Sequence, residues 1–422
     1  MNESFDDLGL HDDLLARLNE VGYKTPTPIQ AKAIPPLLAG RDLLGVAQTG
    51  TGKTATFVLP ILQKLATSGD ERRPKQPRVL ILAPTRELSA QINDELATLS
   101  EGMNIRQTVV IGGVGENPQI RALKKGVDVL VATPGRLLDL VARKHIDLSG
   151  VSVLVLDEAD RLLDMGFVRD VRRIVSQTPS HRQSLLFSAT MPKEVAALAK
   201  EILNKPERVD VAKNEITVKK IEQHVVEVPT QDKQRMLELL LRDKAVSRVI
   251  VFTRTKHMAN RVAQKLDRVG ISADAIHGNK SQNARQRALD GFKAGKVWVL
   301  VATDIAARGI DIDGVSHVVN YELPHEPESY VHRIGRTGRA GATGVAYSLV
   351  DPAERKRLRG IEKLIRQTIP LLKPDLPPRE PGDEPEVLDS NRRRGNGGGN
   401  SNNRSEAGGR PRRRRRRSRA AA

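Results

Sequence analysis

A chain of 422 residues is too long for one ordinary domain, and 69 Lys+Arg against 51 Asp+Glu leave a formal net charge of +18, which points to a polyanionic partner. With no cysteine, the chain holds no disulfide framework, cysteine zinc site, iron–sulfur cluster or cysteine nucleophile. Aromatic residues at 3%, with a single tryptophan, argue against a reader that stacks bases on rings, so phosphates and sugars are the expected handles for nucleic acid.

In chain order, the acidic start MNESFDDLGLHDDLL lacks a secretory signal, and no apolar run approaches the roughly 18 residues of a membrane span, so a soluble cytoplasmic protein with no membrane partner is expected. GYKTPTPIQ at Gly22–Gln30 reads as a proline-punctuated turn opening a helix; Gln30 also offers the paired donor and acceptor that suit the edge of an adenine. A strand over Asp42–Ala47 then runs into AQTGTGKT at Ala47–Thr54, and a helical pattern follows from Ala55. That order marks a phosphate-binding loop spanning Gln48, Thr49, Gly50, Thr51, Gly52, Lys53 and Thr54. Gly50 and Gly52 free the backbone N–H groups to wrap a phosphate, Lys53 reaches the β- and γ-phosphates, and Thr54 ligates Mg²⁺. The strict pattern has glycine where Ala47 stands.

Further continuous apolar strands are expected at Arg78–Pro84, Val127–Ala132 and Val151–Asp157, the last ending in Asp157 and Glu158. Carboxylates at the carboxyl end of such a strand suit one holding Mg²⁺, partly through water, and one orienting or deprotonating the attacking water. Together these residues imply hydrolysis of a nucleoside triphosphate. The alternation weakens over Lys205–Lys220, where a domain junction is placed, and resumes with strands at Arg248–Phe252, Val297–Ala302 and Val315–Tyr321. Apolar strands alternating with helices indicate parallel sheets covered on both faces. The expected organisation is an α/β domain over 1–211, a second over 212–370, a proline- and acid-rich linker over 371–389 and an arginine-rich tail over 390–422. The tail holds 12 arginines and one acid, so +11 of the +18 sits in those last residues, and its composition reads as disordered.

The tetrapeptide Asp157-Glu158-Ala159-Asp160, with the phosphate loop and the Gln30 element, resembles the DEAD-box family of RNA helicases. The likeness runs over residues 1 to about 370 through PTREL at Pro84–Leu88, Gly112-Gly113, TPGR at Thr133–Arg136 and SAT at Ser188–Thr190. It continues through VFTRTK at Val251–Lys256, QNAR at Gln282–Arg285, ATDIAARGIDI at Ala302–Ile312 and HRIGRTGR at His332–Arg339. HGNKSQ at His277–Gln282 and the short basic tail are most similar to the bacterial RhlE-like branch.

The resemblance implies two RecA-like parallel-sheet domains in tandem, the superfamily 2 helicase core, closing over ATP and single-stranded RNA together. It places Phe5, Tyr23 and Gln30 around the adenine and Asp311 on the ribose, with Lys53 and Thr54 at the phosphates and Mg²⁺. It makes Glu158 the catalytic base, Asp157 the Mg²⁺ carboxylate, and Arg336 and Arg339 the arginine fingers. Ser188, Thr190, Asp160 and His332 would couple the nucleotide site to strain in RNA. RNA contacts are expected from Pro84, Thr85, Arg86, Gly113, Thr133 and Arg136, and in the second domain from Arg254, Gln282, Arg285, Thr303, Arg308 and Gly309. The implied activity is RNA-dependent ATP hydrolysis that locally separates short duplexes, with proteins of ribosome assembly or RNA decay as partners.

The physics of the residues agrees. A planar guanidinium suits the charge spread over a transferring phosphoryl group, and fingers in one domain with the phosphate loop in the other make hydrolysis depend on closure. PTREL, TPGR and SQNAR each lie at a helix start, with Thr133 and Ser281 as expected N-caps and Pro134 in the first helical position. Each alone reads equally as a capped helix; together they suit phosphate contacts that position a strand without reading bases. Two rivals stay open on the residues alone: a DNA translocase on the same scaffold and a non-enzymatic RNA clamp. The tail reads as a non-specific RNA tether or as a solvated extension, and Arg412–Arg417 also matches a nuclear address.

Overall fold

The computed structural model describes residues 4–48, 50–69, 71–211, 221–307, 314–338 and 343–376. Two all-parallel sheets dominate them. The first joins β1 (Leu43–Val46), β2 (Val79–Leu82), β3 (Gln107–Val110), β4 (Val129–Ala132), β5 (Val153–Leu156), β6 (Gln183–Ser188) and β7 (Glu207–Asp210) in the order β3-β4-β2-β5-β6-β1-β7. The second joins β8 (Ile221–Glu227), β9 (Val249–Thr253), β10 (Ala273–Ile276), β11 (Val299–Thr303), β12 (His317–Asn320) and β13 (Gly344–Val350) in the order β10-β11-β9-β12-β13-β8. The two expected parallel-sheet α/β domains are thus present in tandem, and both sheets belong to one compact unit over Met1–Pro377.

The continuous apolar runs follow from burial on both faces. Along β2, Val79 and Ile81 enter one core while Leu80 and Leu82 enter the other. Along β9, Val249 and Val251 face one layer and Ile250 and Phe252 the opposite one. Gly45 interrupts β1 because the Phe187 ring of neighbouring β6 lies over it, and a Cβ there would meet that ring at 2.6 Å.

Three details differ from the sequence reading. The charged stretch taken as a junction contains an edge strand, β7, in which only Val209 is buried. The helix after the phosphate loop starts at Lys53, two residues before the apolar pattern declares itself. The first residues of the expected linker adhere to the second sheet: Leu371 bridges Val225, and Leu372 N–H donates to the Val225 carbonyl at 2.8 Å. The linker from residue 377 on and the tail over 390–422 lie outside the described residues. No helix among those described is long and apolar enough to cross a membrane.

Candidate active site and nucleic-acid interface

Most of the expected site residues among those described sit at the carboxyl ends of the parallel strands or on elements that follow them, where ligands bind in open α/β sheets, while Phe5, Tyr23 and Gln30 come from elements that precede β1. β1 delivers the phosphate loop. Gly50 and Gly52 both have positive φ, +79° and +84°, and Gly52 caps the Lys53–Thr67 helix without a side-chain hydrogen bond. Glycine at 52 is required twice over, because a Cβ would also meet Gln30 Nε2 at 2.6 Å. Lys53 Nζ donates to the Ala47 carbonyl at 2.9 Å, and Thr51 Oγ1 donates to the Gln48 carbonyl at 2.7 Å. Thr49 lies outside the described residues.

Gln30 is fully buried, and its amide is engaged with backbone. Oε1 accepts from Thr27 N–H at 2.8 Å, and Nε2 donates to the Gly52 carbonyl at 3.2 Å. In this geometry Nε2 braces the phosphate loop while Oε1 closes the cap of Gln30's own helix. Phe5 packs edge-on against Tyr23 at 6.2 Å, and Tyr23 Oη donates to Glu95 at 3.1 Å. Burial raises the Tyr23 hydroxyl pKa, and the Glu95 charge adds to the rise. Glu95, which no motif marked, also lies near Thr54 and Ala55, and burial pushes its carboxyl up. Glu95 thus lies between the Phe5–Tyr23 pair and Thr54 of the phosphate loop.

β5 ends in the acidic pair. Asp157 is buried, and its N–H donates to the Leu82 carbonyl at 3.0 Å. Burial pushes its carboxyl up to about 6, with Lys53 opposing the shift and Glu158 adding to it. Glu158 has left-handed backbone (φ 51°, ψ 52°), a conformation that costs a residue with a Cβ roughly 1–3 kcal/mol and clusters at functional sites. Arg161 Nη1 donates to Glu158 Oε2 at 2.6 Å, with both groups buried. A buried carboxylate and a threonine hydroxyl, with no cluster of three His, Cys, Asp or Glu among the described residues, fit a hard cation that keeps water and substrate oxygens as its main ligands. Mg²⁺ meets that description.

The expected coupling residues of the first lobe are in contact. Asp160 Oδ2 accepts from Thr190 N–H at 2.9 Å and from Thr190 Oγ1 at 2.8 Å. Ser188 Oγ lies 3.2 Å from Asp160 N–H and donates to the Thr190 carbonyl at 2.7 Å. His332, from the second lobe, lines a small cavity shared with Arg161, Arg333 and Arg336.

The second lobe brings Arg336 into this region. Arg336 follows the Pro327–Ile334 helix in a turn, is 4% exposed, and feels the charges of both Arg161 and Glu158. Burial pushes its guanidinium down to about 9; Arg161 adds to that shift and Glu158 opposes it. Its expected partner Arg339 lies outside the described residues, as do Asp311, Arg308 and Gly309.

A second contact between lobes forms on the elements expected to face RNA. Thr85 caps the Arg86–Leu99 helix through Leu88 N–H at 3.2 Å, and Ser281 caps the Gln282–Lys293 helix through Ala284 N–H at 3.3 Å. Thr133 holds the N-cap position before Pro134, but its side chain makes no cap hydrogen bond. The two capped helix starts meet at Glu87. Gln282 Nε2 donates to Glu87 Oε1 at 2.9 Å, Arg285 pairs with Glu87 Oε2 at 3.0 Å, and Arg86 reaches Gln282 at 3.4 Å. Burial lowers the Arg285 pKa, Glu87 opposing and Arg86 adding. The Arg86 guanidinium lies directly over Gly113, where a Cβ would strike it. Arg285 Nε and Arg136 Nη1 are buried without a hydrogen-bond partner. Arg254 is held apart from this cluster by Glu322, through Nη2 at 2.8 Å, and Thr303 ends β11.

Glu87, Glu95 and Arg161 are the site residues that the motif reading did not single out. Glu87 lies within PTREL and Arg161 directly follows the acidic tetrapeptide, so adjacency was a usable signal for both; Glu95 carries none.

Two family models match the chain: DEAD/DEAH box helicase over residues 27–198 and helicase conserved C-terminal domain over 232–341. The DEAD-box ATP-dependent RNA helicase CshA of Bacillus subtilis is 44% identical over 375 residues, covering 88% of this chain and 74% of that protein. CshA of Listeria monocytogenes is 45% identical over 363 residues, covering 86% and 69%. Both relatives carry the CshA name rather than that of the RhlE-like branch expected from His277–Gln282. Among solved structures, S. cerevisiae Dbp5 bound to RNA and ADP BeF3 superposes with a TM-score of 0.77 at 34% identity, covering 88% of this chain and 95% of that one.

Proposed function

The chain belongs to the DEAD-box family of ATP-dependent RNA helicases, and from that premise we propose how its residues divide the work. It is an RNA-dependent ATPase that spends ATP hydrolysis on local unwinding of short RNA duplexes. The observation that carries the mechanism is Arg336 of the second lobe, buried beside Glu158 of the first. A guanidinium of one lobe comes within electrostatic reach of a carboxylate of the other only when the lobes are together, so hydrolysis is gated by closure.

Gly50, Gly52 and Lys53 bind the triphosphate, Gln48, Thr49 and Thr51 complete the loop, and Gln30 braces it while Phe5 and Tyr23 flank the base. Thr54 and Asp157 would hold Mg²⁺, which when bound offsets the charge on the phosphate oxygens. Glu158 takes the proton of the attacking water, and Arg336, with Arg339, meets the charge that builds on the transferring phosphoryl group. Asp311 contacts the ribose. Supporting the coupling role is the Asp160–Thr190–Ser188 network, two residues from Glu158 along the chain, with His332 across the lobes.

RNA lies along Pro84, Thr85, Arg86, Gly113, Thr133 and Arg136 in the first lobe and Arg254, Gln282, Arg285, Thr303, Arg308 and Gly309 in the second. The helix starts drawn together at Glu87 and the unpartnered Arg136 Nη1 and Arg285 Nε support that path, since both atoms suit a phosphate oxygen. Because ATP and RNA each favour the closed lobes, each tightens the other by linkage. A bent single strand fits the closed groove, and hydrolysis reopens it.

The domain bounds 1–211 and 212–370, the linker over 371–389, a cytoplasmic setting, and partner proteins of ribosome assembly or RNA decay belong to the same reading. So does the tether role of the arginines over 390–422, which rests on composition. The RhlE-like placement rests on His277–Gln282 and that short tail alone. The test of the reading is ATP turnover of the full chain with single-stranded RNA, single-stranded DNA and no polymer. RNA is expected to stimulate turnover at least tenfold and DNA to leave it near the basal rate, since only RNA offers a 2′-hydroxyl. Equal turnover in all three would reject it.

A further inference from the structure

We propose that the first lobe carries a second ligand site, for a small phosphate-bearing anion, at the amino ends of its strands. The site lies at the opposite end of β1 from the phosphate loop and has no part in the functional reading above.

The residues just before β1, β6 and β7, three neighbours in the sheet, border a cavity of about 260 Å³. Arg41 and Asp42 line it ahead of β1, His181 and Arg182 ahead of β6, and Asn204 and Lys205 ahead of β7. The four residues of β1, about 13 Å of extended chain, separate this end from the phosphate loop. Drug-sized ligands occupy pockets of roughly 300–1,000 Å³, so this one suits a smaller molecule.

Asp42 does not close the site to anions, because backbone takes both its oxygens. Oδ1 accepts from Ser184 N–H at 2.8 Å and Oδ2 from Asn204 N–H at 2.7 Å. Arg41 is paired with Glu207 at 2.6 Å, so Arg182 and Lys205 are the cations left to outweigh the single charge of Asp42. Arg182 Nη1 donates to the Pro179 carbonyl at 2.7 Å, while its Nε is buried with no hydrogen-bond partner. Burial pushes this guanidinium down, and the Asp42 charge opposes the shift without forming an ion pair. Lys205 is exposed and pairs with no described acid. A buried N–H without an acceptor is rare in folded proteins, and an anionic oxygen answers it well. The Nε edge of a guanidinium offers parallel donors to two oxygens of one phosphate. A tetrahedral phosphate then keeps further oxygens for the Lys205 ammonium and for exposed His181, where a carboxylate has only two in all.

The test is isothermal titration calorimetry on the full chain, with a non-hydrolysable ATP analogue and single-stranded RNA at saturation to fill the sites already described. Inorganic phosphate and glucose 6-phosphate are titrated separately at constant ionic strength. Saturable binding is expected with a Kd below about 10 mM. Tighter binding of the sugar phosphate identifies an organic ligand, and equal binding identifies the free ion. Arg182→Gln is expected to weaken binding about tenfold or more, the scale of a charge-assisted hydrogen bond. Lys205→Gln, which removes an exposed charge, is expected to weaken it about threefold. Arg208→Gln, outside the cavity and paired with Asp210, should stay within about twofold of the unsubstituted protein.

Absence of saturable binding of either anion up to about 10 mM overturns the proposal. So does binding that Arg182→Gln and Lys205→Gln leave unchanged, which would place the anion elsewhere on the molecule. Thermal melting is recorded for each variant. Lys205 has a φ of +43°, and glutamine there meets the same backbone strain, so Lys205→Gln decides the matter should Arg182→Gln fail to fold.

Discussion

Replacing Arg336 with alanine is expected to cut RNA-stimulated ATP turnover by about a thousandfold or more, the scale of arginine fingers in other nucleotidases. The expectation comes from placement. Arg336 is buried, belongs to the second lobe, and lies within electrostatic reach of Glu158 on the first. A guanidinium carried into a water-poor site stabilises charge developing on the phosphoryl group far more than the same group in water. ATP is held by the other lobe, so its affinity for the open protein should change less than about fivefold, and the loss should fall on kcat rather than KM. Arg336→Lys should recover little, because a point charge cannot match the planar fork. Steady-state turnover with saturating RNA checks this, alongside binding of a fluorescent ATP analogue. Turnover within twofold of the unsubstituted rate would remove Arg336 from the mechanism.

The second large effect is expected from Glu158→Gln, which should lower turnover by about 10²–10⁴, the usual worth of a positioned general base. The amide is nearly isosteric and offers Arg161 an acceptor, so the 2.6 Å contact has a neutral replacement. What it lacks is the capacity to accept a proton from water. The left-handed backbone of Glu158 turns its side chain out of the strand end, and glutamine experiences the same strain, so folding should change little. Rapid-quench measurement of a single turnover separates the chemical step from product release. A full burst at the normal rate would assign the proton to another group.

The strands that carry the site were legible because parallel strands buried on both faces have to be apolar throughout: Val153–Leu156 and Val249–Thr253 could hardly be read otherwise. The edge strands were not. Gln107–Val110 and Glu207–Asp210 lack a second strand neighbour and are only partly covered, so their sequences, QTVV and ERVD, carry polar residues that mask the pattern. The phosphate loop and acidic tetrapeptide were legible because their geometry is local, set by glycines and a strand end. Glu87 was not, because its role is to receive Gln282 and Arg285 from the other lobe, nearly 200 residues along the chain, and no local period encodes such a pairing. Gln30 was legible as a site residue, yet its amide braces Gly52, a contact that depends on how a helix start packs against a loop.

The central claim, that the lobes come together over ATP and RNA jointly, is tested most directly by energy transfer between one dye on each lobe. Four conditions are compared: no ligand, RNA alone, ADP–beryllium fluoride alone, and both. The account predicts that the short-distance population becomes dominant only with both ligands, because each contributes part of the closing free energy. The same distance distribution in all four conditions would contradict it.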